Sequence, residues 1–537
     1  MLKKLTWIMG GASLPLLALQ TMPFGEVGID ALRLHRPPYN LIGRKIAIGQ
    51  VEIGRPGEFG WDKAVSQNHV IAPAGVFLRN TRAKSNKDLA PHAENVASIM
   101  ISTDKALPGV APGARLYSAA VGSLKTGSQP EECLSAQQVA LQNGGDVRAI
   151  NFSFGETFDR DSRPHPILDG NALLTQCVDW SARVHNVLYV VAGNQGQGGI
   201  PIPTDNYNGV NVAFTTRRQG IFDKVETSNL AGMSGTSGQH LVGRETDIGG
   251  RRAISLVAPG SDLTLINLDG STSRHVSGTS FAAPQVTATV ALLQEFGDRQ
   301  LRMHQLHWSL DSRRHEVMKA VLMNSADKLK DLGNGLLLGM TKTIIDKNDS
   351  DWLASDAYHN PKIPLHAQMG AGQLNAFRAY QQFAGGEWSP VAVVPALGWD
   401  YNSVKVGSFS DYLLAQPLQQ GSFVSITLAW DRLVELNDLK NDGQFAVGDS
   451  FRNRGLNRLD LYLLSAESGA VGSICASVSN VDSVQHIFCR IPKTGNYKIR
   501  VQFRQQINEA TQRYALAWWT VPGLKLPIGE DRNSNRQ

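Results

Sequence analysis

The residues that could do chemistry gather first around Ser280, in the run Ser277-Gly278-Thr279-Ser280-Phe281-Ala282-Ala283-Pro284. Gly278 offers a turn, and a small-residue, apolar-periodic segment then runs to Leu292-Leu293. This predicts a helix opened by Ser280. Pro284 fits the first turn of that helix, where a missing N–H would be unpaired anyway. A serine at a helix N-terminus lies beside orphan N–H groups and the positive end of the dipole, a setting that stabilises a developing oxyanion. A serine found alone in that position is ordinarily just an N-cap. A hydroxyl becomes a nucleophile when a base takes its proton and a carboxylate orients the base.

Three other stretches carry polar groups where a sheet enzyme would need them. Arg44–Ile53 reads as a buried parallel strand ending in Val51-Glu52-Ile53-Gly54. After Pro91-His92, the residues Ala93, Val96, Ala97, Met100 and Ile101 share one helical face, with His92 at its N-terminal edge. Val187–Ala192 is a continuous apolar strand followed by Gly193-Asn194. Taken together with these stretches, Gly278-Thr279-Ser280-x-Ala282-Ala283-Pro284 resembles the nucleophile motif of the subtilisin-like serine proteases, the subtilases.

The resemblance implies a nucleophile at Ser280, a general base at His92 and an orienting carboxylate at Glu52. It also implies an oxyanion donor at Asn194, in Val-Val-Ala-Gly-Asn. Two motifs depart from the family pattern. Glu52-Ile53-Gly54 stands where subtilases carry Asp-Thr/Ser-Gly, and His92-Ala93-Glu94 stands where they carry His-Gly-Thr. Glu is one methylene longer than Asp but chemically competent to orient a histidine; Asp62 is the alternative orienter. Ser153-Phe154-Gly155, with Gly193, matches the family's substrate-binding backbone, on which a polypeptide adds as an extra strand. Gly109–Tyr117 resembles the segment leading to the next subtilase strand, and Met369–Ala376 the family's closing helix start. Ser234-Gly235-Thr236-Ser237 copies the nucleophile tetrapeptide without the helix behind it and reads as a loop.

Strands over 116–121, 147–153, 187–192, 210–215 and 253–258 alternate with helices over 135–142, 171–184 and 316–326. This βαβα order predicts an α/β fold with a doubly wound, mostly parallel sheet, and a site beyond the C-terminal strand ends. Residues 55–87 read as a loop and 330–364 as an insertion. From about residue 395 to 520, period-two apolar runs bounded by Gly, Asn and Asp predict an all-β sandwich. That stretch resembles the jelly-roll-like C-terminal domain of some large alkaline subtilases. The expected organisation is a signal peptide over 1–22, a peptidase domain over 28–385, a β-sandwich over 395–520 and a polar tail over 521–537. Only about 20–25 residues lie between the signal and the first strand, too few for the folding prosegment that subtilases usually carry.

The chain has 537 residues, 42% of them hydrophobic and 18% charged, with a net charge of +5. No Lys/Arg run stands out, so no nucleic-acid partner is inferred. Lys3-Lys4 followed by a short apolar run to Leu19 predicts secretion to the medium or periplasm, with no stable membrane span after processing; a retained N-terminal anchor is the alternative. The expected partners are polypeptide substrates. Cys133, Cys177, Cys475 and Cys489 allow three pairings or free thiols; Cys133 with Cys177 and Cys475 with Cys489 is the expected one. The chemistry calls for no cofactor and no catalytic metal. Structural calcium is common among subtilases, and Asp438–Asp442 is weighed as such a loop against a solvated turn. Two functions compete: a serine endopeptidase working through an acyl-enzyme, and a catalytically inactive subtilase-fold binding or scaffold protein. A lipase-like esterase is disfavoured, because the Gly-x-Ser-x-Gly elbow is missing.

Overall fold

The computed structural model describes residues 23–122, 128–193, 201–218, 221–225, 250–467 and 472–523. The expected signal peptide, Asn194, the Ser234–Ser237 loop and residues 524–537 of the tail lie outside the described residues. The first part of the chain forms β1 (Ala47–Glu52), β2 (Gly75–Leu78), β3 (Thr81–Arg82), α1 (Pro91–Ile101), β4 (Arg115–Ala120), α2 (Ser128–Ala140) and β5 (Val147–Phe152). It continues with α3 (Leu173–His185), β6 (Leu188–Ala192), β7 (Val210–Arg218), β8 (Ile221–Val225), β9 (Leu256–Pro259), β10 (Leu263–Ile266) and β11 (Thr272–Val276). The helices α4 (Thr279–Arg302), α5 (His315–Asn324) and α6 (Ala376–Ala384) follow.

One sheet runs in the order β3-β2-β4-β1-β5-β6-β7-β8, with β9 also paired to β7. Every pairing is parallel except β2 with β3 and β7 with β8. β1 is buried along its whole length, as a near-continuous apolar strand must be when both neighbours and both faces are covered. It lies between β4 and β5, so the chain order reverses beside it. This is the switch point of a doubly wound sheet, where a crevice opens beyond the carboxyl ends. α4 crosses under β5, β6 and β7, and its small residues Ala282, Ala283, Ala288 and Ala291 are fully buried against that face.

The second part forms β12 (Leu397–Lys405), β13 (Phe409–Leu413), β14 (Phe423–Ala429), β15 (Leu433–Asn437), β16 (Ser450–Gly455) and β17 (Arg458–Ser465). It ends with β18 (Cys475–Ser477), β19 (Val484–Arg490), β20 (Tyr497–Gln505) and β21 (Thr511–Trp519). Two antiparallel sheets, β12-β21-β14-β19 and β13-β20-β17-β18, face each other as a sandwich, with β15-β16 a separate hairpin. Leu459, Leu461, Leu463, Ile499, Val501, Leu516 and Trp518 fill the space between them, as inward-pointing alternate residues do in stacked sheets. The disulfides are Cys133–Cys177 and Cys475–Cys489.

The sandwich docks on the α/β part through buried polar contacts. The Arg432 guanidinium lies against Asp179, Nε to Oδ2 at 2.9 Å, and also donates to the Gly170 carbonyl at 2.8 Å. Asn208 and Arg432 bond through side chain and backbone in both directions, at 2.7 and 3.0 Å. Gln382 donates to the carbonyls of Gly398 and Trp518 at 2.9 and 3.0 Å.

The structure differs from the sequence expectation in three stretches. Residues 55–87 hold β3, which pairs with β2, and β2, whose other partner β4 lies some forty residues on; a four-residue apolar run carries no local signal of such pairing. α2 starts at Ser128 rather than 135. Its polar first turns, Ser128-Gln129-Pro130-Glu131-Glu132, have no apolar period to read, and Pro130 is tolerated there because first-turn N–H groups have no partner in the helix. The 330–364 stretch, read as an insertion, is packed rather than loose. Leu338, Met340, Ile344 and Trp352 pack with Phe423 and Phe488 of the sandwich and tie the two parts together.

Candidate active site

Glu52 is the last residue of β1, and its carbonyl accepts Val121 N–H at 2.8 Å. Its side chain is buried, and Oε2 lies 3.3 Å from His92 Nδ1. His92 is the second residue of α1, after Pro91, which opens the helix without losing a bond. The next residue, Ala93, has its carbonyl held by Gln50 Nε2 of β1 at 2.9 Å, so strand and helix are clamped just behind the pair. The His92 side chain is 43% exposed, open to a ligand on its outer side. Burial works against charge on the ring, but the Glu52 carboxylate outweighs it through its charge and hydrogen bond, and raises the His92 pKa above its ordinary value.

Asp62 is placed elsewhere. It forms a two-point ion pair with Arg55, at 2.7 and 2.8 Å, with both side chains wholly buried. It also accepts N–H bonds from Glu58 and Asn86, each at 2.8 Å. These partners occupy the carboxylate that the sequence left as an alternative orienter.

Ser280 is the second residue of α4, after Thr279, and is 7% exposed. The ring of the following residue, Phe281, lies 5.5 Å from the His92 ring, which brings the serine segment against the histidine. Pro284 is the sixth helical residue and not part of the first turn, which corrects the sequence reading. It therefore removes an interior bond and leaves the Ser280 carbonyl without its i+4 donor. The deficit is met from β5's end: Ser153 Oγ donates to the Ser280 carbonyl at 2.8 Å and is itself held by Asn151 Nδ2 at 2.8 Å. In return, the Ser280 hydroxyl donates to the Ser153 carbonyl at 3.2 Å. The Ser153 segment and Ser280 are thus joined by hydrogen bonds in both directions, a contact no local sequence motif announces; a proline inside a helix was the one available hint.

Of the remaining predicted residues, Phe154 stacks on Phe152 at 5.1 Å, and Gly155 continues the segment beyond Ser153. Gly193 directly follows β6, its N–H on the Val212 carbonyl at 2.8 Å and its own carbonyl accepting Thr279 Oγ at 2.8 Å. A Cβ at 193 would sit 3.0 Å from the Val212 oxygen, so glycine keeps this approach close. The residue before Asn194 is therefore tied to the residue before Ser280. Glu94, where subtilases carry Thr, is fully buried; it accepts Gly57 N–H at 2.8 Å and Asn68 Nδ2 at 3.0 Å, and burial foremost pushes its pKa up to about 7. The Asp438 carboxylate caps its own turn, accepting N–H bonds from Lys440, Asn441 and Gly443.

Residues 73–340 match the family model described as the subtilase family, a span that includes His92 and Ser280 and begins after Glu52. The chain is 28% identical over 292 residues to Subtilisin Savinase of Lederbergia lenta, covering 53% of this chain and 90% of that protein. It is 25% identical over 218 residues to tripeptidyl-peptidase 2 of Drosophila melanogaster, covering 38% of this chain and only 14% of that protein. Among solved structures, MycP1 from Mycobacterium smegmatis overlaps with a TM-score of 0.39 at 15% identity, over 65% of this chain and 83% of that one. The match to the subtilase family model falls on the mostly parallel α/β sheet, which antiparallel β-sheets follow.

Proposed function

We propose that this protein is a serine endopeptidase that cleaves polypeptides through an acyl-enzyme, with a Glu52–His92–Ser280 triad. The observation that carries the reading is the Glu52–His92 contact at 3.3 Å, set at the end of the central strand beside the serine helix. In this reading the Ser280 hydroxyl leaves the Ser153 carbonyl, gives its proton to His92 Nε2 and attacks the scissile carbonyl carbon. Glu52 holds the Nδ1 proton and stabilises the imidazolium. The Ser280 backbone N–H, one of the orphan donors of α4, meets the oxyanion, and Asn194 supplies the second donor. His92 then passes its proton to the leaving amine, and water repeats the sequence in reverse to free the acid. The substrate lies along Ser153-Phe154-Gly155 as an added strand, with Gly193 at the reacting carbonyl. No metal or other cofactor takes part in these steps.

A secreted or periplasmic setting is part of the proposal, supported by the two disulfides. No helix among the described residues is long and apolar enough to cross a membrane. The test is cleavage of an unstructured protein such as casein by the purified chain beside Ser280→Ala. Cleavage within the chain that is lost in the variant, with a burst of acyl-enzyme on ester substrates, is the expected result. No cleavage by folded wild type would favour the inactive scaffold.

A further inference from the structure

The segment Ser153-Phe154-Gly155 is anchored at both ends. At the near end Ser153 is bonded to Ser280 in both directions. At the far end Glu156 exchanges backbone bonds with Ile202, its N–H donating at 2.8 Å and its carbonyl accepting at 3.2 Å. The Glu156 side chain turns inward, 4% exposed, with Oε2 3.3 Å from Arg160 Nε. Phe154, Phe158 and Ile202 share one core with Ala136 and Val139 of α2, so α2 packs beneath this segment.

Glu132 projects from α2 into the same place and is 0% exposed. Three residues earlier on the helix, Gln129 Nε2 donates to the Arg160 carbonyl at 3.2 Å, which sets this face of α2 against the 158–160 turn. Neither Glu132 oxygen has a hydrogen-bond donor among the described residues. What Glu132 meets is the Glu156 carboxyl, within hydrogen-bonding reach. Two ionised carboxylates are acceptors only, so this contact holds when one of them carries a proton. Arg160 favours charge on Glu156, which leaves the proton on Glu132. Burial foremost, and then the Glu156 carboxyl, push the Glu132 pKa well above the ordinary carboxylate range; the charge of Glu131 acts in the same direction. An apolar side chain would fill this site without the cost of burying a carboxyl, so the contact with Glu156 is what a glutamic acid adds here.

We propose that Glu132 is a positioning residue of the peptidase: as a neutral carboxylic acid it donates to the Glu156 carboxylate and holds the far end of the 153–155 substrate strand in register with Ser280. The role rests on the peptidase reading above. Ser153 ties the strand to the nucleophile, and Glu132 ties its other end to α2, so a polypeptide pairing between the two anchors meets a preformed edge. Neither Glu132 nor Glu156 is placed among the reacting groups. Loss of the contact therefore weakens substrate binding and leaves the acid–base steps of His92 and Ser280 in place.

The test uses the full chain with Glu132→Met, which fills the space but offers no donor, and Glu132→Gln, whose amide N–H stands in for the proton. On one quenched peptide, Glu132→Met should raise KM by about tenfold or more, the scale of a hydrogen bond to a charged group, with kcat kept; Glu132→Gln should restore the wild-type KM. Thermal unfolding checks that both variants are folded. The proton is read without turnover by infrared difference spectroscopy: wild type minus Glu132→Gln at pH 8 should show the carbonyl band of a protonated carboxyl, where an ordinary glutamate is ionised. That band also decides the case if Glu132→Met does not fold. A missing band, a folded Glu132→Met with wild-type KM, or a loss confined to kcat overturns the proposal while leaving the peptidase standing. If a fluorophosphonate fails to label wild-type Ser280, the peptidase reading falls first and takes the positioning role with it, whatever the infrared band shows.

Discussion

Replacing Glu52 by Asp would install the residue that subtilases carry at this point, and the structure predicts a loss of activity rather than a gain. Glu52 Oε2 reaches His92 Nδ1 at 3.3 Å. Removing one methylene withdraws the carboxylate by about 1.5 Å, to roughly 4.8 Å, beyond hydrogen-bond range. β1 cannot follow, because it is buried and paired to β4 and β5 on either side, nor can α1 readily move while Gln50 holds the Ala93 carbonyl. A misplacement of about 1 Å near the chemistry costs about 10²-fold, so Glu52→Asp should lose about 10²-fold in kcat. Glu52→Gln keeps the length but offers no negative charge, and a wrongly held histidine costs up to about 10⁴-fold. The pH dependence separates the two effects. His92 must be neutral to take the serine proton, so activity rises with pH through its pKa, which the Glu52 charge holds above 6.5 against the opposing effect of burial. In Glu52→Gln only burial remains, and the rising limb should move below 6.5. The assay is kcat against pH on one peptide for all three proteins. An Asp variant as fast as wild type, or a Gln variant with an unmoved limb, would refute the reasoning.

Three further outcomes follow from the same contacts. Ser153→Ala leaves the Ser280 carbonyl and Asn151 Nδ2 without their partner, so chemical denaturation should show a loss of about 1–3 kcal/mol, with fluorophosphonate labelling of Ser280 slowed as the helix end loosens. Arg432→Ala strands Asp179 in the buried contact between α3 and the sandwich; breaking such a pair costs about 3–5 kcal/mol, read as a lower unfolding midpoint. His315 is fully buried with Nε2 3.1 Å from both Asp431 oxygens, and Nδ1 3.1 Å from Asn186 Oδ1 and 3.1 Å from Glu316 Oε2, with Arg314 and Lys319 nearby. Acceptors on both ring nitrogens call for two ring protons; burial opposes this, the Asp431 and Glu316 charges override it, and the pKa is raised. That stabilisation is complete below pH 6.5 and is lost as pH rises through the folded value. Denaturation midpoints should therefore fall from pH 6 to 9 in wild type and stay flatter in His315→Gln.

The α/β frame was legible because its central strands and helices each carry their own signal: the apolar run before Glu52, the period-3.6 face after His92, and the small-residue face of α4. What escaped was set by distance in sequence. β2 is strand only because β4 lies beside it, and the packing of residues 330–364 could not be read because their partners, Phe423 and Phe488, come much later. At the site, the resemblance to subtilase motifs pointed to Glu52, His92 and Ser280 one at a time, and the fold brings Glu52 to His92 and the Phe281 ring beside it. The Asp62–Arg55 pair could not be foreseen, since nothing local distinguishes a buried Asp in a polar loop from a free one. Pro284 was misplaced by sequence reasoning because the helix already begins at Thr279, which puts the proline beyond the first turn, where its missing N–H leaves the Ser280 carbonyl without a donor.

The central claim is that Ser280 is an activated nucleophile. The direct measurement is to treat folded protein with a fluorophosphonate, digest it and locate the adduct by mass spectrometry, with Ser280→Ala and His92→Ala alongside. A single adduct on Ser280 that disappears in both variants is the result this account predicts. No adduct on folded wild type, or one on another serine such as Ser237, would contradict it.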